Sequence, residues 1–154
     1  MSTNVRIFVE HYDNKKHEWE AIIPIVNGKE VWFWEPNATY EIFDCLKKYG
    51  RWLIEDADVE TFSSRVKEAY EEDFEDGGYD FRIWNLADMM NYFYENPTIT
   101  DYDAEPLNEA GDYPLITNPI KAIIDKAKFY YNELGGYWID EFSYSSVRLV
   151  YWFC

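Results

Sequence analysis

YSSVRLVYWF, Tyr144–Phe153, stands one residue from the end of the sequence. Its last seven residues carry one charge, Arg148, in a run that is otherwise β-branched, aromatic or leucine. Such a run reads as an apolar strand. A strand needs neighbours, and the best candidates lie at the opposite end. VRIFVEHY (5–12) is β-rich, and EWEAIIPIV (18–26) follows it across the polar turn DNKK. The two predict a hairpin, with Pro24 marking an edge or a bulge. NGK (27–29) is a tight-turn signal leading into VWFWE (31–35), so the first 35 residues predict a three-stranded antiparallel meander. The closing strand is expected to join it.

Helical patterns fill the space between. PNATYEIFDCLKKYG (36–50) has a polar start, apolar residues at Ile42, Phe43 and Leu46, and a terminating Gly50. A longer helix is predicted over 58–75, where Val59, Phe62, Val66, Ala69, Tyr70 and Phe74 recur at three- and four-residue spacing before Gly77–Gly78. YDFRIW (79–84) reads as a short strand, and Asn85 as the N-cap of a helix to about 95. TNPIKAIIDKAKFYYNELGG (117–136) is the best-marked helix. It has a Thr117/Asn118 cap, Pro119 in the first turn and a stripe of Ile120, Ile123, Ile124, Ala127, Tyr131 and Leu134. Residues 97–116, with three prolines and five acids, read as a long irregular loop. The fold class expected for residues 1–154 is a single α+β domain, with about four helices packed on one face of the sheet.

Composition narrows the function. At 47% hydrophobic and 20% aromatic, the chain of 154 residues is not a disordered acidic tail. Cys45 and Cys154 have neither a disulfide framework number nor zinc spacing, and read as free thiols in a reducing cytoplasm. The N-terminal MSTNVRIFVEHYD lacks a basic region followed by an apolar one, so no export signal is expected.

The net charge of −16 disfavours nucleic acid and anionic membranes as direct partners. Its distribution says more. Residues 1–54 hold 8 acids and 7 bases, and residues 113–154 hold 4 of each. The middle, 55–112, holds 18 acids against Arg65, Lys67 and Arg82. Nearly all the net charge sits in that third of the chain.

At its centre is EEDFED (71–76), five acids in six residues. On a helical wheel Glu68, Glu71, Glu72, Glu75 and Asp76 fall within an arc of roughly 140°, opposite the apolar set. Asp73 falls on the apolar side and reads as fraying at the helix end. Between Glu68 and Asp76 the strip carries one carboxylate per ~2.4 Å of helix axis. Duplex DNA carries one phosphate charge per ~1.7 Å. The densities are comparable, so such a strip would attract the basic groove of a nucleic-acid-binding protein. Asp101, Asp103 and Glu105 would extend the field if the loop lay alongside. The competing reading is an ordinary solvated helix face that serves solubility.

Chemistry of other kinds finds little support. DYDAE (101–105) alternates carboxylates as calcium loops do, but lacks the glycine and glutamate those loops place further on. His11 and His17, six apart, read as solvent groups of a hairpin loop rather than zinc ligands. There is no GxSxG, P-loop, GxGxxG or CxxC. Cys45, among apolar neighbours, reads as core. No catalytic residue, metal or cofactor is expected, and most aromatic residues are expected in the core.

YEIFDCLKKYGRW (40–52), IWNLADMM (83–90) and VRLVYWF (147–153) together resemble a widespread family of small, uncharacterised phage and prophage proteins. The resemblance implies a phage or bacterial origin and an accessory role, and carries over no catalytic residues. Small acidic phage proteins of this kind include inhibitors of host defence, of the antirestriction and anti-CRISPR types. The function expected is therefore a non-enzymatic inhibitor whose acidic, DNA-mimicking surface binds a basic nucleic-acid-binding host protein. The alternative is a structural or assembly protein in which the aromatics form a homo-oligomeric interface.

Overall fold

The computed structural model describes residues 5–31, 45–48, 52–53, 55–138 and 143–154. β1 (Val5–Asp13) and β2 (Glu18–Ile22) form the expected hairpin. Asp13 shapes its turn, since its carboxylate accepts the N–H groups of Lys15 and Lys16 at 2.8 and 3.2 Å. Those two donors hold the Asp13 carboxyl below its usual range.

Among the described residues the β1–β2 ladder is not extended by the next strand. Pro24 offers no N–H to a ladder, and β3 (Ile25–Val26) pairs instead with β4 (Lys29–Glu30) in a separate two-stranded sheet. Asn27 and Gly28 make its turn with φ of 53° and 74°, the left-handed pair that an Asn-Gly hairpin supplies. The tight-turn reading of NGK was correct. The rest of VWFWE, from Trp32, lies outside the described residues, as does most of the helix expected over 36–50. Of that helix, residues 45–48 (α1) are helical.

The closing stretch organises the sheet. β9 (Val147–Phe153) runs antiparallel between β1 and β6 (Tyr79–Asn85), and β6 in turn pairs with β5 (Trp52–Leu53). The order among the described residues is β2-β1-β9-β6-β5, an antiparallel sheet of an α+β fold. All seven β9 residues are buried. Val147, Leu149, Tyr151 and Phe153 point into one cluster with Ile7, Val9, Ile22 and Trp84, while Val150 and Trp152 point into another with Phe8.

Helices therefore cover both faces, not one. The first face receives α1, α4 (Leu86–Glu95) and α5 (Ile120–Phe129), and α5 continues through a π-helical turn, Tyr130–Leu134. The second receives α2 (Asp56–Val59) and α3 (Ser64–Glu75). The caps follow the sequence. Asn85 accepts the Ala87 N–H at 2.8 Å and starts α4. Asn118, fully buried, accepts the Ile120 N–H at 3.1 Å and donates to the Asn96 carbonyl at 2.9 Å, tying α5 to the end of α4. The long loop is partly ordered as well: its ends pair as β7 (Thr98–Thr100) and β8 (Leu115–Thr117), leaving 101–114 as an irregular tip.

A candidate interaction surface on α3

The helix expected over 58–75 is two helices, broken at 60–63. The cause is a buried ion pair the sequence does not announce. Glu10 of β1 and Arg148 of β9 face the α2–α3 side of the sheet, and Arg148 Nε donates to Glu10 Oε1 at 2.8 Å. Glu10 is fully buried and Arg148 nearly so. A charge so buried needs its hydrogen bonds satisfied, and the chain at 61–63 supplies them. Arg148 Nη2 donates to the Thr61 carbonyl and hydroxyl at 3.2 and 3.0 Å, and the Ser63 N–H donates to Glu10 Oε2 at 2.7 Å. Burial pulls the Arg148 guanidinium below its ordinary pKa, opposed by Glu10 beside it. The guanidinium also lies 4.0 Å from the centre of the Trp19 ring. Ser63, held this way, caps α3 by accepting the Val66 N–H.

The other end of α3 is held by the residue that looked out of place. Asp73 is not frayed. Its carboxylate accepts Arg6 Nη1 at 3.1 and 2.9 Å and the Trp152 indole N–H at 2.6 Å. Its position on the apolar side of the wheel is what lets it reach β1 and β9. The Asp73 carbonyl accepts the Gly78 N–H at 2.6 Å, and a Cβ on Gly78 would come within 2.8 Å of that oxygen, so glycine is required for the close approach. Val66 and Ala69 fill the space between the two attachments.

With the inner face fixed, the outer face is fixed too. Glu68, Glu71, Glu72, Glu75 and Asp76 are all exposed, the last as the C-cap. Among the described residues none of the five enters an ion pair. Of the three bases in the acidic segment, Arg82 is held by Asp80 through two hydrogen bonds of 3.0 and 3.1 Å, and Arg65 and Lys67 both lie in the first turn of α3. The last turn of α3 has no base. Carboxylates thus crowd the negative end of the helix dipole, the end that favours cations. Glu68–Glu72, Glu71–Glu75 and Glu72–Asp76 are like-charged pairs at i,i+4 spacing, each mildly repulsive.

Asp101, Asp103 and Glu105 are not brought to this strip. Asp101 and Asp103 line a groove of about 470 Å³ with Cys45, Lys47, Lys48 and Pro119. These neighbours belong to α1 and the start of α5, on the opposite face of the sheet from α3. Glu105 is exposed in the same loop tip.

A larger groove of about 720 Å³, which the sequence reading missed, runs between β2 and the α2–α3 turn. Tyr12, Trp19, Thr61, Phe62 and Arg65 line it. No short motif marks it, because its walls are 40 residues apart in sequence. Among the described residues no three His, Cys, Asp or Glu side chains form a metal-sized group. His11 lies 3.4 Å from Glu20 and packs against Tyr137, while His17 sits in the β1–β2 turn. Cys45 is core, and burial pushes its thiol up to about 12, far from thiolate chemistry at neutral pH. Among the described residues no helix is long and apolar enough to cross a membrane. No family model, curated protein or solved structure matches the chain.

Proposed function

We propose that the protein is a non-enzymatic accessory protein of phage type that binds the basic nucleic-acid groove of a host protein through α3. Restriction and CRISPR effector proteins are the class of target intended. One observation carries this reading. Five carboxylates, none ion-paired among the described residues, line the outer face of α3, three of them in its last turn and C-cap where dipole and neighbours both oppose them, and polar contacts at each end of the helix hold that face outward. A strip serving only solubility gains nothing from that placement, whereas a rigid row of charges matches a rigid basic groove with little ordering entropy lost on binding. Asp101, Asp103 and Glu105 add to the long-range field that steers the encounter rather than to the α3 contact.

The test is affinity capture from a bacterial lysate over a salt series, comparing the wild type with Glu68→Lys, Glu72→Lys and Asp76→Lys combined. A nucleic-acid-binding partner released by salt and lost in the variant is expected. Unchanged capture by the variant at low and at moderate salt refutes the reading.

The alternative, a homo-oligomeric assembly protein, draws on the exposure of Tyr94, Phe129 and Trp138. Sedimentation at two concentrations separates the two, since a strict monomer excludes it.

A further inference from the structure

Phe74 was expected in the core stripe of α3, yet it is 61% exposed. Its ring is nonetheless firmly supported. Its centroid lies 5.8 Å from that of Tyr70 and 6.0 Å from that of Phe81. Tyr70 and Phe81 meet edge-on at 4.9 Å, and Phe81 packs at 5.4 Å on Trp152, the indole that Asp73 holds. The result is an aromatic platform rooted in the core with its outermost ring in solvent. Phe74 borders the acidic strip: Glu71 precedes it by three residues, so their side chains are neighbours on the helix surface, and Glu75 follows directly.

An aromatic face beside carboxylates is complementary to a cation, and a planar one fits it best. A guanidinium can stack on the ring while its edge donates to a carboxylate, and it sheds water more readily than an ammonium. Resting on the function proposed above, we infer that Phe74 is the seat for an arginine side chain of the partner's basic groove, with Glu71 as its carboxylate. Recognition at α3 then favours arginine over lysine, which bulk negative charge alone does only weakly.

The probes are fluorescently labelled oligoarginine and oligolysine peptides of equal length, titrated at low salt. The proteins are the wild type, Phe74→Leu, Phe74→Trp and the combined Glu68→Lys, Glu72→Lys, Asp76→Lys variant. Phe74→Leu keeps an apolar group of similar size, and an unchanged melting temperature verifies its fold. It should weaken oligoarginine about two- to five-fold, as loss of an exposed cation–π contact implies, and weaken oligolysine less. Phe74→Trp should hold or raise the arginine preference. Equal weakening of both peptides by Phe74→Leu, or no weakening of either, overturns the arginine seat. If the charge-reversed variant binds both peptides as the wild type does, the acidic-surface reading itself fails, whatever Phe74 does.

Discussion

Replacing Glu72 with lysine should make the protein more stable, and the size of the gain follows from its neighbours. Glu72 has Glu68 one turn before it and Asp76 one turn after, and lies in the last turn of α3. Each like-charged i,i+4 pair costs about 0.2–0.5 kcal/mol, and lysine converts both into attractions of similar size. A charge in the last turn interacts with the helix dipole by about 0.3–1 kcal/mol, with a sign that also reverses. Allowing for solvent screening at an exposed site, the net gain is about 1–2 kcal/mol at low ionic strength. For a chain of this size that raises the melting temperature by roughly 2–8 °C. Thermal unfolding followed by circular dichroism, in dilute buffer and again near 1 M salt, measures it. The gain should nearly vanish in high salt, where the screening length falls to about 3 Å. Glu105→Lys, in the loop tip, is the comparison and should change little. A melting temperature for Glu72→Lys that is unchanged or lower in dilute buffer would refute the claim that the strip is held against electrostatic preference. So would a gain that survives high salt undiminished.

Other outcomes follow from the attachments of α3 and from the core. Asp73→Ala strips the acceptor from Arg6 and from the Trp152 indole and should cost about 2–3 kcal/mol in urea unfolding. Asp73→Asn, which retains an acceptor for the indole, should cost less, and equal losses would mean that the indole bond contributes nothing. Glu10→Ala leaves Arg148 buried without its counter-charge and should cost about 3–5 kcal/mol, whereas Glu10→Met with Arg148→Met should recover most of the loss. Alkali should destabilise the fold. Because the folded Cys45 thiol is raised from 9.0 to about 12, the folded form keeps a proton that the unfolded chain gives up. The stability this contributes is complete below pH 9 and declines above it by about 1.4 kcal/mol per pH unit. Urea midpoints between pH 8 and 10.5 should fall less steeply for Cys45→Ala than for wild type, and parallel slopes would exclude Cys45 as a cause.

Signals carried by a few adjacent residues were legible in the sequence. Asn27-Gly28, the Asn85 cap, Asn118 ahead of Pro119 and the apolar closing stretch each specify local geometry through their own chemistry, and each appears in the structure. The exposure of Glu68, Glu71, Glu72, Glu75 and Asp76 was also readable, because Val66 and Ala69 fix which side of α3 faces inward. Relations between distant segments were not legible. A seven-residue strand with only one charge is the pattern of burial on two sides, but the pattern does not say that α3 forms the second cover. Glu10 and Arg148, 138 residues apart, look like ordinary polar strand residues until β1 and β9 are paired. Their partnership breaks the 58–75 helix and also creates the Ser63 cap. Asp73 was misread for the same reason, since its partners come from both ends of the chain. Phe74 has apolar periodicity, yet the sheet beneath α3 is filled by Tyr70 and Phe81 before it can reach inward.

The central claim is that α3 occupies the place of a nucleic acid, and competition tests it most directly. The partner captured from lysate is mixed with a labelled DNA duplex, and the protein is added across a range of salt. Displacement of the duplex by the wild type, weakening as salt rises and absent for the combined Glu68→Lys, Glu72→Lys, Asp76→Lys variant, is the predicted result. A ternary complex in which partner, duplex and protein remain bound together would contradict it.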